Sequence, residues 1–99
     1  MEASVKYTVL FRNDARARIL IYWIDYRGTP QLKGALLAGG VFSQPTYYTH
    51  PWTFTTATDG KELNASANGV SSLVFEGKEF KASPDSTILV AIVDQGIIS

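Results

Sequence analysis

Apolar and polar residues alternate along this chain in short runs. Val5, Tyr7, Val9 and Phe11 are separated by Lys6, Thr8 and Leu10, a period of two that places one set of side chains on one face of a β-strand. This predicts a first strand ending at Arg12-Asn13-Asp14. Ile19 to Tyr26 predicts a second, apolar on both faces and therefore central in its sheet, closed by the turn residues Arg27-Gly28-Thr29-Pro30. Between Gly34 and Gly40 the run Ala35-Leu36-Leu37-Ala38 has the length of one helical turn, but flanking glycines disfavour a helix and the segment reads as a loop. Val41 to Tyr48 and His50 to Thr55 are the next strands. Thr58-Asp59-Gly60-Lys61 is a turn before a short strand at Glu62 to Ala65. Ser71 to Phe75, Glu76-Gly77 and Lys78 to Ala82 predict a tight hairpin. Ser83-Pro84-Asp85 breaks the pattern, Thr87 to Val93 is a last buried strand, and the tail Gly96-Ile97-Ile98-Ser99 is also strand-like.

About seven short strands at this spacing predict an all-β fold, an antiparallel β-sandwich. With 99 residues, 45% of them apolar, the chain has enough material for one core and one domain over residues 1–99. Nine basic residues balance nine acidic ones and no Lys/Arg cluster occurs, so neither nucleic acid nor an anionic membrane is an expected partner. The absence of cysteine excludes disulfides, thiolate metal sites and thiol catalysis, and accords with a reducing compartment. The start, MEASVKYT, lacks the apolar core of a signal peptide, and the longest strongly apolar run, Ile88 to Val93, is too short to cross a bilayer. A cytoplasmic or intracellular location is expected.

Candidate chemistry concentrates in Thr46-Tyr47-Tyr48-Thr49-His50-Pro51-Trp52-Thr53-Phe54, which holds the single histidine and one of two tryptophans. In one continuous strand Thr46 and His50 would lie about 13 Å apart, too far to share a small ligand. A reversal at Tyr47-Tyr48-Thr49, as in a hairpin, lets hydroxyl and imidazole converge, and Pro51 supports an interruption there because it cannot donate to a ladder. No G-x-S-x-G nucleophile motif and no metal-ligand spacing accompany the histidine, and Glu76 and Glu79 read as solvated. A non-enzymatic domain without cofactor or metal is expected. On a small sandwich, the same rings also serve simply as core.

Phe11-Arg12-Asn13, Trp23, Gly28-Thr29-Pro30-Gln31 and His50-Pro51-Trp52-Thr53-Phe54 occur in an order and spacing that resembles the von Hippel-Lindau β-domain family, without gaps from Phe11 to Phe54. Ser72 to Ala82 resembles a later hairpin of that family. The resemblance implies a β-sandwich that recognises protein substrates for a ubiquitin ligase by holding a 4-hydroxyproline in an extended peptide. Carried over residue by residue, it implies that Trp23 and Trp52 line the pocket, His50 and Thr46 bond the hydroxyproline hydroxyl, and Tyr47 contacts the peptide backbone. Thr46 stands where the family has serine. Lys33 stands where the family has a pocket tyrosine, Pro45 where it has a histidine that contacts the peptide, and Thr49 where a glycine turns with positive φ. The implied partner is an extended peptide or protein, hydroxylated on proline. Direct binding of elongin C is not expected, because only Ser83 to Ser99 stand where the family has its helical domain. The alternative is a structural or scaffold sandwich whose pocket has drifted.

Overall fold

A computed structural model describes residues 5–94, and within them eight strands form two sheets. They are β1 (Lys6–Asn13), β2 (Ile19–Ile24), β3 (Pro30–Leu36), β4 (Val41–Tyr47), β5 (Trp52–Thr56), β6 (Leu63–Ala67), β7 (Val70–Ser72) and β8 (Thr87–Asp94). The five-stranded sheet runs β4-β1-β8-β6-β7 and the three-stranded sheet β3-β2-β5. The all-β sandwich follows from the alternation that predicted it: Tyr7, Val9, Phe11 and Asn13 of β1 are buried, while the residues between them are half-exposed or exposed. As its two apolar faces imply, β2 is central in its sheet. The tail Gly96 to Ser99 lies outside the described residues.

One pairing departs from the antiparallel pattern. β1 and β8 run parallel, from Thr8 opposite Thr87 to Asn13 opposite Ile92, so the first and last strands form the middle of the larger sheet. Such a pair joins segments about 80 positions apart, and nothing in either segment alone encodes it.

Three local readings are corrected. Gly34 to Leu36 belongs to β3 rather than to a loop. β3 is an outer strand, exposed along most of its length, so burial leaves little alternation to read. Ser71 to Ala82 is not a hairpin. Phe75 instead bridges Trp52, exchanging backbone hydrogen bonds of 2.9 and 2.8 Å, and residues 77–81 form turns. The true hairpin is β6–β7, where Asn68 (φ 51°) and Gly69 (φ 76°) both adopt positive φ, the conformation of a type I′ turn. Thirdly, β4 and β5 do not pair with each other. The chain reverses at Tyr48-Thr49 but passes from one sheet to the other.

The core is aromatic. Phe11 packs against Phe54, Trp52 and Phe75 with ring centroids 5.0, 5.7 and 5.7 Å apart, and Phe75 meets Phe80 in a tilted pair at 4.7 Å. Tilted and edge-on pairs of this kind contribute beyond the area they bury. Asn13 is the buried polar tie: its amide donates to the carbonyls of Ala17 (2.8 Å) and Leu36 (3.1 Å), and its oxygen accepts from Ala15 N–H (2.9 Å). The Phe11-Arg12-Asn13 motif thus anchors both the β1–β2 connection and the end of β3.

Candidate functional site

The end of the sandwich nearest the β4–β5 crossover holds a cavity of about 190 Å³ lined by Trp23, Lys33, Gln44, Pro45, Thr46, Tyr47, His50 and Trp52. All six residues that the sequence marked for peptide binding, Trp23, Lys33, Thr46, Tyr47, His50 and Trp52, therefore meet in one place. They arrive from β2, β3, β4, β5 and the crossover.

Register explains the two tryptophans. Trp23 and Trp52 are directly opposed in the β2–β5 ladder, so their side chains share the inner face at the end of the smaller sheet. Trp52 is almost wholly buried, at 3% exposure, and belongs to the core. Trp23 is half-buried and faces the cavity. Its indole nitrogen is shut off from solvent and has no hydrogen-bond partner among the described residues.

Lys33 owes its position to a bulge. Ile21 pairs with Gly34 and Tyr22 with Leu32, which leaves Lys33 as the extra residue of β3. A bulge re-aims the side chain it carries, and Nζ of Lys33 lies 5.5 Å from the centre of the Trp23 ring. Gly34 beside it packs closely under Phe42: a Cβ there would come 3.1 Å from the ring, so the ring would have to give by a few tenths of an ångström.

The crossover sorts its own residues. His50 N–H donates to Tyr47 C=O at 3.1 Å, which closes the reversal and brings the imidazole back over β4. Thr49 is not among the described residues with positive φ, so the turn forms without the glycine conformation. The neighbouring tyrosines diverge. Tyr48 donates its hydroxyl to Ala82 C=O and packs edge-on against Tyr7, as a structural anchor, whereas the Tyr47 ring turns to His50 with centroids 5.1 Å apart. The imidazole also faces Trp23 at 5.6 Å and Tyr26 at 5.8 Å. Burial among these rings lowers the His50 pKa from its ordinary value.

Two hydrogen bonds set the polar groups. Thr46 is nearly buried, at 5% exposure, and its Oγ1 accepts from Nε1 of Trp52 at 3.1 Å. The hydroxyl proton of Thr46 remains free to donate elsewhere. His50 Nε2 shares a hydrogen bond of 3.1 Å with the hydroxyl of Tyr26, a residue on the β2–β3 turn that is otherwise 87% exposed. Sequence reasoning passed over Tyr26 and Gln44. Tyr26 closes a predicted strand in the sequence and gives no sign that the β2–β3 turn folds back towards the crossover. Among the described residues, no three His, Asp or Glu side chains gather as a metal site.

A family model described as the VHL beta domain matches residues 1–75. That span includes every lining residue of the cavity and stops short of β8. No curated protein matches the chain.

Proposed function

The chain belongs to the VHL beta domain family, a family of substrate-recognition modules, and from that premise we propose that it binds an extended peptide and prefers one carrying 4-hydroxyproline. The observation that carries this reading is the convergence of an imidazole, a hydroxyl and three large rings on one small cavity. Trp23 and Tyr47 flank a pyrrolidine ring. The hydroxyl of Thr46, held by the Trp52 indole, donates to the added oxygen, and His50 supplies the second bond, in place of or beside the one it shares with Tyr26. Plain proline would leave both groups unpaired as it covers them, at a cost of about 1–3 kcal/mol each. The ligand backbone has a place as well: β4 is the outer strand of its sheet, so its free edge suits strand addition. The reading is one of binding: the His50 ring sits among the rings of Trp23, Tyr26 and Tyr47, and its Nε2 is engaged by the Tyr26 hydroxyl.

One observation favours the rival reading, a scaffold with a drifted pocket. Trp52 is core, in contact with Phe11, and its N–H is already satisfied. An NMR titration separates the two. With a hydroxyproline peptide, backbone and indole signals of Trp23, Thr46, Tyr47 and His50 should shift together, and His50→Ala should suppress the response while leaving the remaining spectrum dispersed. A folded protein whose spectrum ignores the peptide would support the scaffold.

A further inference from the structure

The cavity is one part of a longer groove. A second concavity of about 230 Å³, lined by Lys6, Pro45, Thr46 and Tyr47, shares three residues with the first and continues it across the paired ends of β1 and β4. Lys6 lies opposite Tyr47 in the β1–β4 ladder, and its Nζ sits 5.9 Å from the centre of the Tyr47 ring. At the other end Lys33 lies over Trp23. The groove is therefore a row of rings, Tyr47, His50 and Trp23, with an ammonium at each end.

Neither lysine is in an ion pair among the described residues, and no carboxylate lines either concavity. Asp25, close in sequence to Trp23, is turned into the β2–β3 turn, where it accepts from the N–H groups of Arg27 and Thr29 and from the Gln31 amide. Both lysines are exposed. Contact with a ring fixes the stem, yet an ammonium has three donors and keeps them available.

We infer that the groove selects an acidic peptide, with carboxylates on both sides of the residue seated at His50; this rests on the peptide reading of the pocket. Two separated ammonium groups suit single carboxylates. A phosphate is better matched by forked guanidinium groups or a backbone nest, which this groove does not offer. The four contacts from Lys6 to Lys33 span at most roughly 22 Å, which an extended peptide covers in about six or seven residues. The carboxylates should accordingly lie within about three residues of the central one.

The test uses three fluorescent peptides with the same central hydroxyproline, flanked within three residues on each side by serine, glutamate or lysine. Fluorescence anisotropy at low salt should rank them glutamate, serine, lysine in order of falling affinity, and high salt should compress the ranking. Lys6→Met and Lys33→Met should each reduce the ratio of glutamate to serine affinity about two- to fivefold, and the double variant should abolish it. The same ratio in wild type and double variant, with all peptides bound, would overturn the acidic preference and leave the pocket standing. Binding of none would overturn both. A single-stranded oligonucleotide that displaces the serine peptide would replace the acidic peptide as occupant.

Discussion

The hydrogen bond from Trp52 to Thr46 joins the core to the candidate pocket, and Thr46→Val tests it. Valine keeps the branched shape but cannot accept, so the indole N–H, in a residue only 3% exposed, loses its partner at 3.1 Å. Leaving a buried donor unsatisfied costs about 1–3 kcal/mol, partly offset by the easier burial of a methyl group than of a hydroxyl. In a domain of this size each kcal/mol lowers Tm by about 4–8 °C, so a fall of roughly 5–15 °C is expected. Thr46→Ser, which keeps the acceptor, should lose much less. Urea denaturation followed by tryptophan fluorescence measures the stabilities, and a double-mutant cycle with Trp52→Phe isolates the bond. In the Trp52→Phe background there is no N–H to orphan, and Thr46→Val should be close to neutral. An unchanged stability for Thr46→Val, or an equal loss in both backgrounds, would refute the assignment of this bond as the link between core and pocket.

Other perturbations address the rest of the site. Tyr26→Phe removes the hydroxyl that occupies His50 Nε2 and should tighten hydroxyproline binding about two- to fivefold in calorimetry, since a competing bond is gone; weaker binding would show that Tyr26 orients the ring instead. Because burial lowers the His50 pKa, the ring is neutral at pH 7. Hydroxyproline affinity should be greatest well above the ordinary histidine pKa of about 6.5 and fall as the pH drops through the lowered pKa. Isotherms with a neutrally flanked peptide should show this dependence in wild type and not in His50→Gln. The same sign holds for folding: the contribution of the neutral ring is complete above the unfolded-state pKa and declines below it. Gly77→Ala would place a Cβ 2.6 Å from the phenol oxygen of the buried Tyr7; urea denaturation should show a loss of about 1–3 kcal/mol, and a change under 0.5 kcal/mol would mean that Tyr7 moves aside.

The sequence was legible wherever one face of a strand is buried and the other is not. β1, β5 and β8 alternate cleanly, and their positions could be read. β3 was not, because an edge strand with Pro30 at its start and Gly34 at a bulge has no buried stripe to show. The alternation of Ser71 to Phe75 misled for the opposite reason: Phe75 is fully buried, but it bridges Trp52 and packs on Phe11 and Phe80, and the segment that follows it is turn rather than strand. The Asn68-Gly69 pair carried a true hairpin signal that the stronger pattern beside it obscured. At the site, a reversal was readable from Pro51 and the turn chemistry, so the approach of Thr46 to His50 was expected. That the two strands enter different sheets was not, because local sequence does not encode which ladder each joins. Lys33 shows the limit most plainly. It read only as standing where the family has a pocket tyrosine, and a bulge, invisible in composition, places it over Trp23.

Calorimetry with three peptides of one sequence, differing only in a central trans-4-hydroxyproline, cis-4-hydroxyproline or proline, tests the central claim most directly. If Thr46 and His50 read the hydroxyl, the trans peptide should bind at least tenfold more tightly than the proline peptide, equivalent to about 1.4 kcal/mol, with the cis peptide close to proline. Equal affinity for all three would contradict the account.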